Sequence, residues 1–155
     1  MKTKYFIVVL FVIYFVILVR LIVFKYPSSM VFDIADGNFI PFKTIVPYLM
    51  GQPTWIVAIY NIGGNIVSFL PLGFFVPIIY GRLPMLKRVF VAALLVSVVL
   101  EGTQVLLRAG VFDVDDIILN VLGGVAGYGV FVLIASFLPT NTRYGSNTTV
   151  KNQQS

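Results

Sequence analysis

The chain has no cysteine and no histidine among its 155 residues, and only 11% of them are charged. The first absence excludes disulfides and thiol nucleophiles, and the second excludes imidazole general bases. Together they exclude zinc sites of the Cys/His type. Any chemistry must come from carboxylates, amides, hydroxyls, lysine or arginine. With 59% hydrophobic residues and a mean hydropathy of +0.97, the chain is far from soluble domains, which carry roughly 25% charged residues. It reads as an integral membrane protein. The length allows one compact bundle without a separate soluble domain.

Apolar runs at about 5–24, 55–80, 89–107 and 115–138 predict an all-α, four-helix transmembrane bundle spanning residues 1–139. A polar, disordered tail is expected over 140–155. The first run is longer than the roughly 7–15 apolar residues of a signal peptide, and FKYPSS after it lacks a small-x-small cleavage site. It therefore reads as an uncleaved first span. Arg20, in its last turns, is placed either to snorkel toward head groups or to pair with a carboxylate of the bundle. Residues 25–54 form a long proline-containing outer loop. Its middle, NFIPFKTIVPYLM, is too short to span and should lie at the interface or fold back over the bundle. Asn147 opens a sequon-like triplet within the tail.

Basic residues orient the bundle. Lys2, Lys4, Arg82, Lys87, Arg88, Arg143 and Lys151 lie on the side of the termini, and Lys25, Lys43 and Arg108 lie in the opposite loops. The positive-inside rule then predicts N-in, C-in, with both termini cytoplasmic. All six acids (Asp33, Asp36, Glu101, Asp113, Asp115 and Asp116) fall on the outer half. The net charge of +5 thus reports topology and not nucleic-acid binding.

Within the spans, polar residues form stripes. Asn61, Asn65 and Ser68 share one face of the second span, as either an amide-lined packing seam or a polar wall facing the third. Ser97, Glu101, Gln104 and Arg108 form a stripe on the third span, and Asp113, Asp116 and Asn120 form one on the fourth. At ~1.5 Å per residue, Glu101, Asn61 and Asn120 each lie about 7.5–9 Å below the outer ends of their helices, in one layer. The two stripes should face each other and line an outward pocket, with Arg108 as its base. Each part also has a plainer reading. Asp113 and Asp116 suit a helix N-terminus, Arg108 suits a lipid phosphate, and Gly123 with Gly127 suits helix packing. Glu101 lies too deep for a capping or interfacial account. A buried membrane carboxylate needs a partner or a role.

Four motifs in order, NFIPFKTI (38–45), NIVSFLPLG (65–73), E-x-x-Q (101–104) and FDVDDIILNVLGGVAGY (112–128), resemble the VanZ-like family. These are small bacterial membrane proteins associated with reduced susceptibility to teicoplanin and related lipoglycopeptides. The resemblance places the family's polar set on Asn65, Pro71, Gly73, Glu101, Gln104, Asp113, Asp116, Asn120, Gly123 and Gly124, with Asp115 at a position read as variable. It implies a phenotype and not a reaction.

Two functional classes follow. In one, the protein acts on an outer-leaflet lipid or lipid-linked cell-wall precursor. Glu101 would be the general acid/base, with Asp113 and Asp116 tuning it or holding a divalent cation through oxygen ligands. Arg108 would receive a phosphate, and Asn61, Asn65, Gln104 and Asn120 would contact the ligand. In the other, the same residues form a non-catalytic network that fixes a rigid scaffold, which binds lipid or a partner. Transport is disfavoured, because no polar chain reaches the cytoplasmic side.

Overall fold

The computed structural model describes residues 2–25, 37–80 and 85–137. Its helices are α1 (Lys2–Val23), α2 (Ile45–Leu49), α3 (Trp55–Tyr80), α4 (Leu86–Leu106) and α5 (Val114–Phe137). All but the short α2 are long and apolar enough to cross a membrane. The four expected spans are therefore present, with shifts at their ends. The third starts earlier than its apolar run, because Lys87 and Arg88 are good helix formers that hydropathy does not count.

α3 and α5 make the most extensive pairing. A side chain on Gly73 would strike the backbone of Gly124 and Tyr128, one on Gly123 that of Ile66, and one on Gly127 that of Leu70. The two backbones cross in direct contact, as small residues permit in membranes. α3 continues through Pro71 and Pro77 without a break. Leu18, Ile22 and Val23 of α1, Phe69 and Leu72 of α3, and Val89 and Leu100 of α4 complete the apolar core. The Tyr14 hydroxyl donates to the Ser68 carbonyl at 2.9 Å and pins α1 to α3. The outer face of α1, including Tyr5, Phe6 and Val16, is exposed and apolar, as suits a helix facing hydrocarbon.

Of the two expectations for the long loop, its described part folds back over the bundle. Asn38 donates its backbone N–H to the Phe112 carbonyl at 2.7 Å, and Val114 donates to the Asn38 carbonyl at 3.0 Å. This forms an isolated parallel bridge beside Phe39 stacked on Phe112. α2 then rests on α3. Asp33, Asp36, the start of the basic turn at 81–84 and the tail with Asn147 lie outside the described residues.

The turn after α4 sets the depth of everything beyond it. Leu107 caps the helix and Arg108 adopts φ 53°. Arg108 N–H donates to the Val105 carbonyl, and Ala109 N–H donates to that of Gln104 at 2.9 Å. This is a Schellman closure, in which a left-handed residue satisfies the last carbonyls and turns the chain back. Glycine usually fills that position. Here it is Arg108.

Candidate functional site

The acid-rich end is built around α5. Asp115 is fully buried just inside that helix. Its carboxylate accepts from the backbone N–H groups of Phe42, Thr44 and Ile45 and from the Thr44 hydroxyl. These bonds hold a loop in which Phe42 has φ 67°, a left-handed backbone that costs of order 1–3 kcal/mol in a bulky residue. Asp113 accepts from Asn38 Nδ2 at 2.7 Å and from the Asp115 N–H at 2.9 Å, and its other oxygen lies 3.3 Å from the Thr44 hydroxyl, whose single proton goes to the nearer Asp115. The motifs at 38–45 and 112–116 therefore form one hydrogen-bonded cap. Asp115, read from sequence as the variable member, organises it.

Glu101 is 1% exposed, and its Oε2 accepts from the Asp113 N–H at 3.1 Å. The carboxylate thus serves the start of α5 from the neighbouring helix, and the expectation that no capping account reaches its depth is corrected. The Schellman turn explains why: it lets α5 begin level with Glu101, below the end of α4. For the same reason Asn120 does not share the layer of Glu101. It lies a turn deeper, where its Nδ2 donates to Ser97 Oγ at 2.8 Å. Glu101 Oε1 and Asn120 Oδ1 are buried and have no hydrogen-bond partner among the described residues. Gln104 donates from Nε2 to the Ile22 carbonyl at 2.6 Å, clamping the end of α1 to α4.

Asp116 joins this cluster to a cavity. Lys25 Nζ lies 2.9 Å from its Oδ2, and Asn65 Nδ2 donates to its Oδ1. Asn65 thus faces α5 and not α4, which corrects the polar wall expected to face the third span. Lys25 and Asn65 belong in turn to the wall of a cavity of about 680 Å³ between the end of α1 and the first half of α3. Arg20, Asn61 and Ser68 line the same space, so the predicted Asn61–Asn65–Ser68 face converges there. Asn61 also donates to the Val57 carbonyl of its own helix at 2.9 Å. Arg20 lays its guanidinium over the Phe24 ring, 5.0 Å from the centroid, and among the described residues it makes no ion pair. Nearby, burial raises the Tyr48 phenol above its ordinary pKa; Lys25 opposes the shift, while Asp116 and Asp113 reinforce it.

The expected base, Arg108, is not brought to the polar cluster. It is exposed on the turn after α4 and does not line the cavity. Lys25 and Arg20 stand where it was expected. By sequence Lys25 is one of three cations in the outer loops, and only the packing of α1 reveals what it meets. One of the two roles expected of Asp113 and Asp116 is to hold a divalent cation. Among the described residues no three acidic side chains converge to hold a metal, and the oxygens of Asp113 and Asp116 are engaged by protein donors.

This arrangement, a carboxylate-rich cap on the 38–45 segment above four apolar spans, accompanies a sequence-wide likeness. The family model described as VanZ/LLP1 matches residues 11–135. The chain belongs to the VanZ/LLP1 family. The match runs from Phe11 in α1 to Ala135 in α5 and includes every residue of the acid cluster and of the cavity wall. With its four apolar helices, this VanZ/LLP1 member is a multi-pass membrane protein. No curated protein and no solved structure matches the chain.

Proposed function

We propose that the protein binds the phosphate-bearing headgroup of an outer-leaflet lipid or lipid-linked cell-wall precursor, and thereby lowers susceptibility to teicoplanin and related lipoglycopeptides. The observation that carries this reading is the donor set of the 680 Å³ cavity. Arg20 supplies a positive charge with no ion pair among the described residues, Lys25 an ammonium shared with Asp116, and Asn61, Asn65 and Ser68 amide and hydroxyl groups around them. A guanidinium with an ammonium is a common pairing for phosphate recognition. With N-in, C-in topology the cavity faces the outer leaflet. The acids contribute indirectly: Asp116 orients Lys25 and Asn65, while Asp113 and Asp115 fix the cap.

A catalytic reading draws on one observation, the unpartnered Oε1 of buried Glu101. It assigns Glu101 as general acid/base. The binding reading instead has Glu101 complete the start of α5, a task a neutral amide also performs.

The deciding experiment is teicoplanin susceptibility of a sensitive Gram-positive host. It would express the wild type, Arg20→Ala or Glu101→Gln at matched membrane abundance. The binding reading expects protection by wild type and Glu101→Gln and loss in Arg20→Ala. Loss in Glu101→Gln supports catalysis. Absence of protection by the wild type removes the resistance assignment.

A further inference from the structure

A second cavity, of about 890 Å³, lies at the other end of the bundle. Its walls are Phe11 and Phe15 of α1, Leu72 and Val76 of α3, and Val91 and Leu95 of α4. Val91 and Leu95 are exposed, so the groove opens sideways to the surroundings of the bundle. For a membrane-spanning chain those surroundings are acyl chains. One end of this apolar groove is different: Lys87 and Arg88 line it and project from the first turn of α4.

Helix stability does not account for these two cations. The first turn of a helix favours acids, and α4 has none there. Among the described residues neither Lys87 nor Arg88 makes an ion pair. All described acids (Glu101, Asp113, Asp115 and Asp116) belong to the opposite end. The groove therefore joins a hydrocarbon-lined wall to adjacent positive charges with no described acid to neutralise them.

The geometry points to a binding site for an anionic phospholipid, its phosphate on Lys87 and Arg88 and an acyl chain along the α1–α3–α4 groove. Basic pockets between transmembrane helices bind acidic lipid head groups by this combination. A zwitterionic lipid offers the same chain but no net charge to meet the two cations. A protein helix would have to bury their charge. With the first cavity facing the outer leaflet, this lipid comes from the inner one. The site shares no wall residue with the first cavity and does not depend on its function.

The test is native mass spectrometry of the full chain, titrated with phosphatidylglycerol or phosphatidylcholine. Using the Arg20→Ala background keeps the first cavity's contribution low. The expected result is selective retention of one phosphatidylglycerol. Adding Lys87→Ala with Arg88→Ala weakens it roughly thirtyfold, from two cations near an anionic group. Ala92→Phe, which fills the groove and leaves the charge intact, also removes it. Unchanged helicity by circular dichroism verifies the fold of each variant. Equal affinity for both lipids, or no loss in the double variant, overturns the proposal. So does a dimer that Ala92→Phe abolishes, which would make the occupant a second copy of the chain.

Discussion

At the end where α5 begins, Glu101, Asp113, Asp115 and Asp116 are tied into one cluster with Asn38, Thr44, Lys25 and Asn65. At the other end the groove walls are apolar and two cations stand exposed without an ion pair among the described residues. The first end has its polar groups mostly satisfied from within. The second offers charge outward. Polar residues in a membrane helix can thus be held by partners that their spacing does not reveal. Most of the buried acids here accept hydrogen bonds from the protein itself, and cations without an ion pair among the described residues, including Arg20, Lys87 and Arg88, stand at the margins.

The largest expected effect falls on the satisfied end. Asp115→Ala leaves three backbone N–H groups of the 42–45 turn without their acceptor, at about 1–3 kcal/mol each when buried. Thermal unfolding in detergent should show a loss of more than about 3 kcal/mol, with early proteolysis in 37–45. A small effect would mean that water replaces the carboxylate and that the cap is not a closed unit.

Lys25→Met should cost less, about 1–3 kcal/mol. It strands Asp116, but the pair is partly exposed, with 19% and 10% side-chain exposure. The same variant should lose teicoplanin protection. Retained protection would remove Lys25 from ligand contact and leave it a structural counter-ion.

Glu101→Gln should change stability by less than about 1 kcal/mol, because its amide oxygen still accepts from Asp113 and its amino group gains donor capacity. A larger loss in the same unfolding measurement would show that the charge itself stabilises this end. Arg108→Gly should have the smallest effect and the opposite sign, neutral or stabilising by up to about 1 kcal/mol, because glycine relieves the left-handed strain at φ 53°. It should also preserve teicoplanin protection. Loss of protection would return Arg108 to the ligand site.

These comparisons also show how much was legible beforehand. The four spans could be read because twenty or so apolar residues have few other fates. The Gly123–Gly127 spacing pointed to close packing, and α5 does lie backbone to backbone on α3. The polar stripes were legible as faces: Asn61, Asn65 and Ser68 converge on one cavity, and Ser97 meets Asn120. Their depth was not, since spacing along one helix does not say at what level the next begins. Arg108 was assigned by its spacing to the Glu101 stripe. The local carbonyls of Gln104 and Val105 instead recruited the turn's backbone N–H groups, and its side chain was left outside.

Composition alone determined the solvent of this protein, because so few charges over so many apolar residues can only be accommodated in hydrocarbon. Helical periodicity determined which polar side chains share a face. Their partners were decided by tertiary structure. A hydrogen bond needs its two groups within about 3 Å, and spacing along one helix says nothing of how far the next has slid. One left-handed residue after α4 set that slide. It placed Glu101 level with the start of α5 and left Lys25 to pair with Asp116.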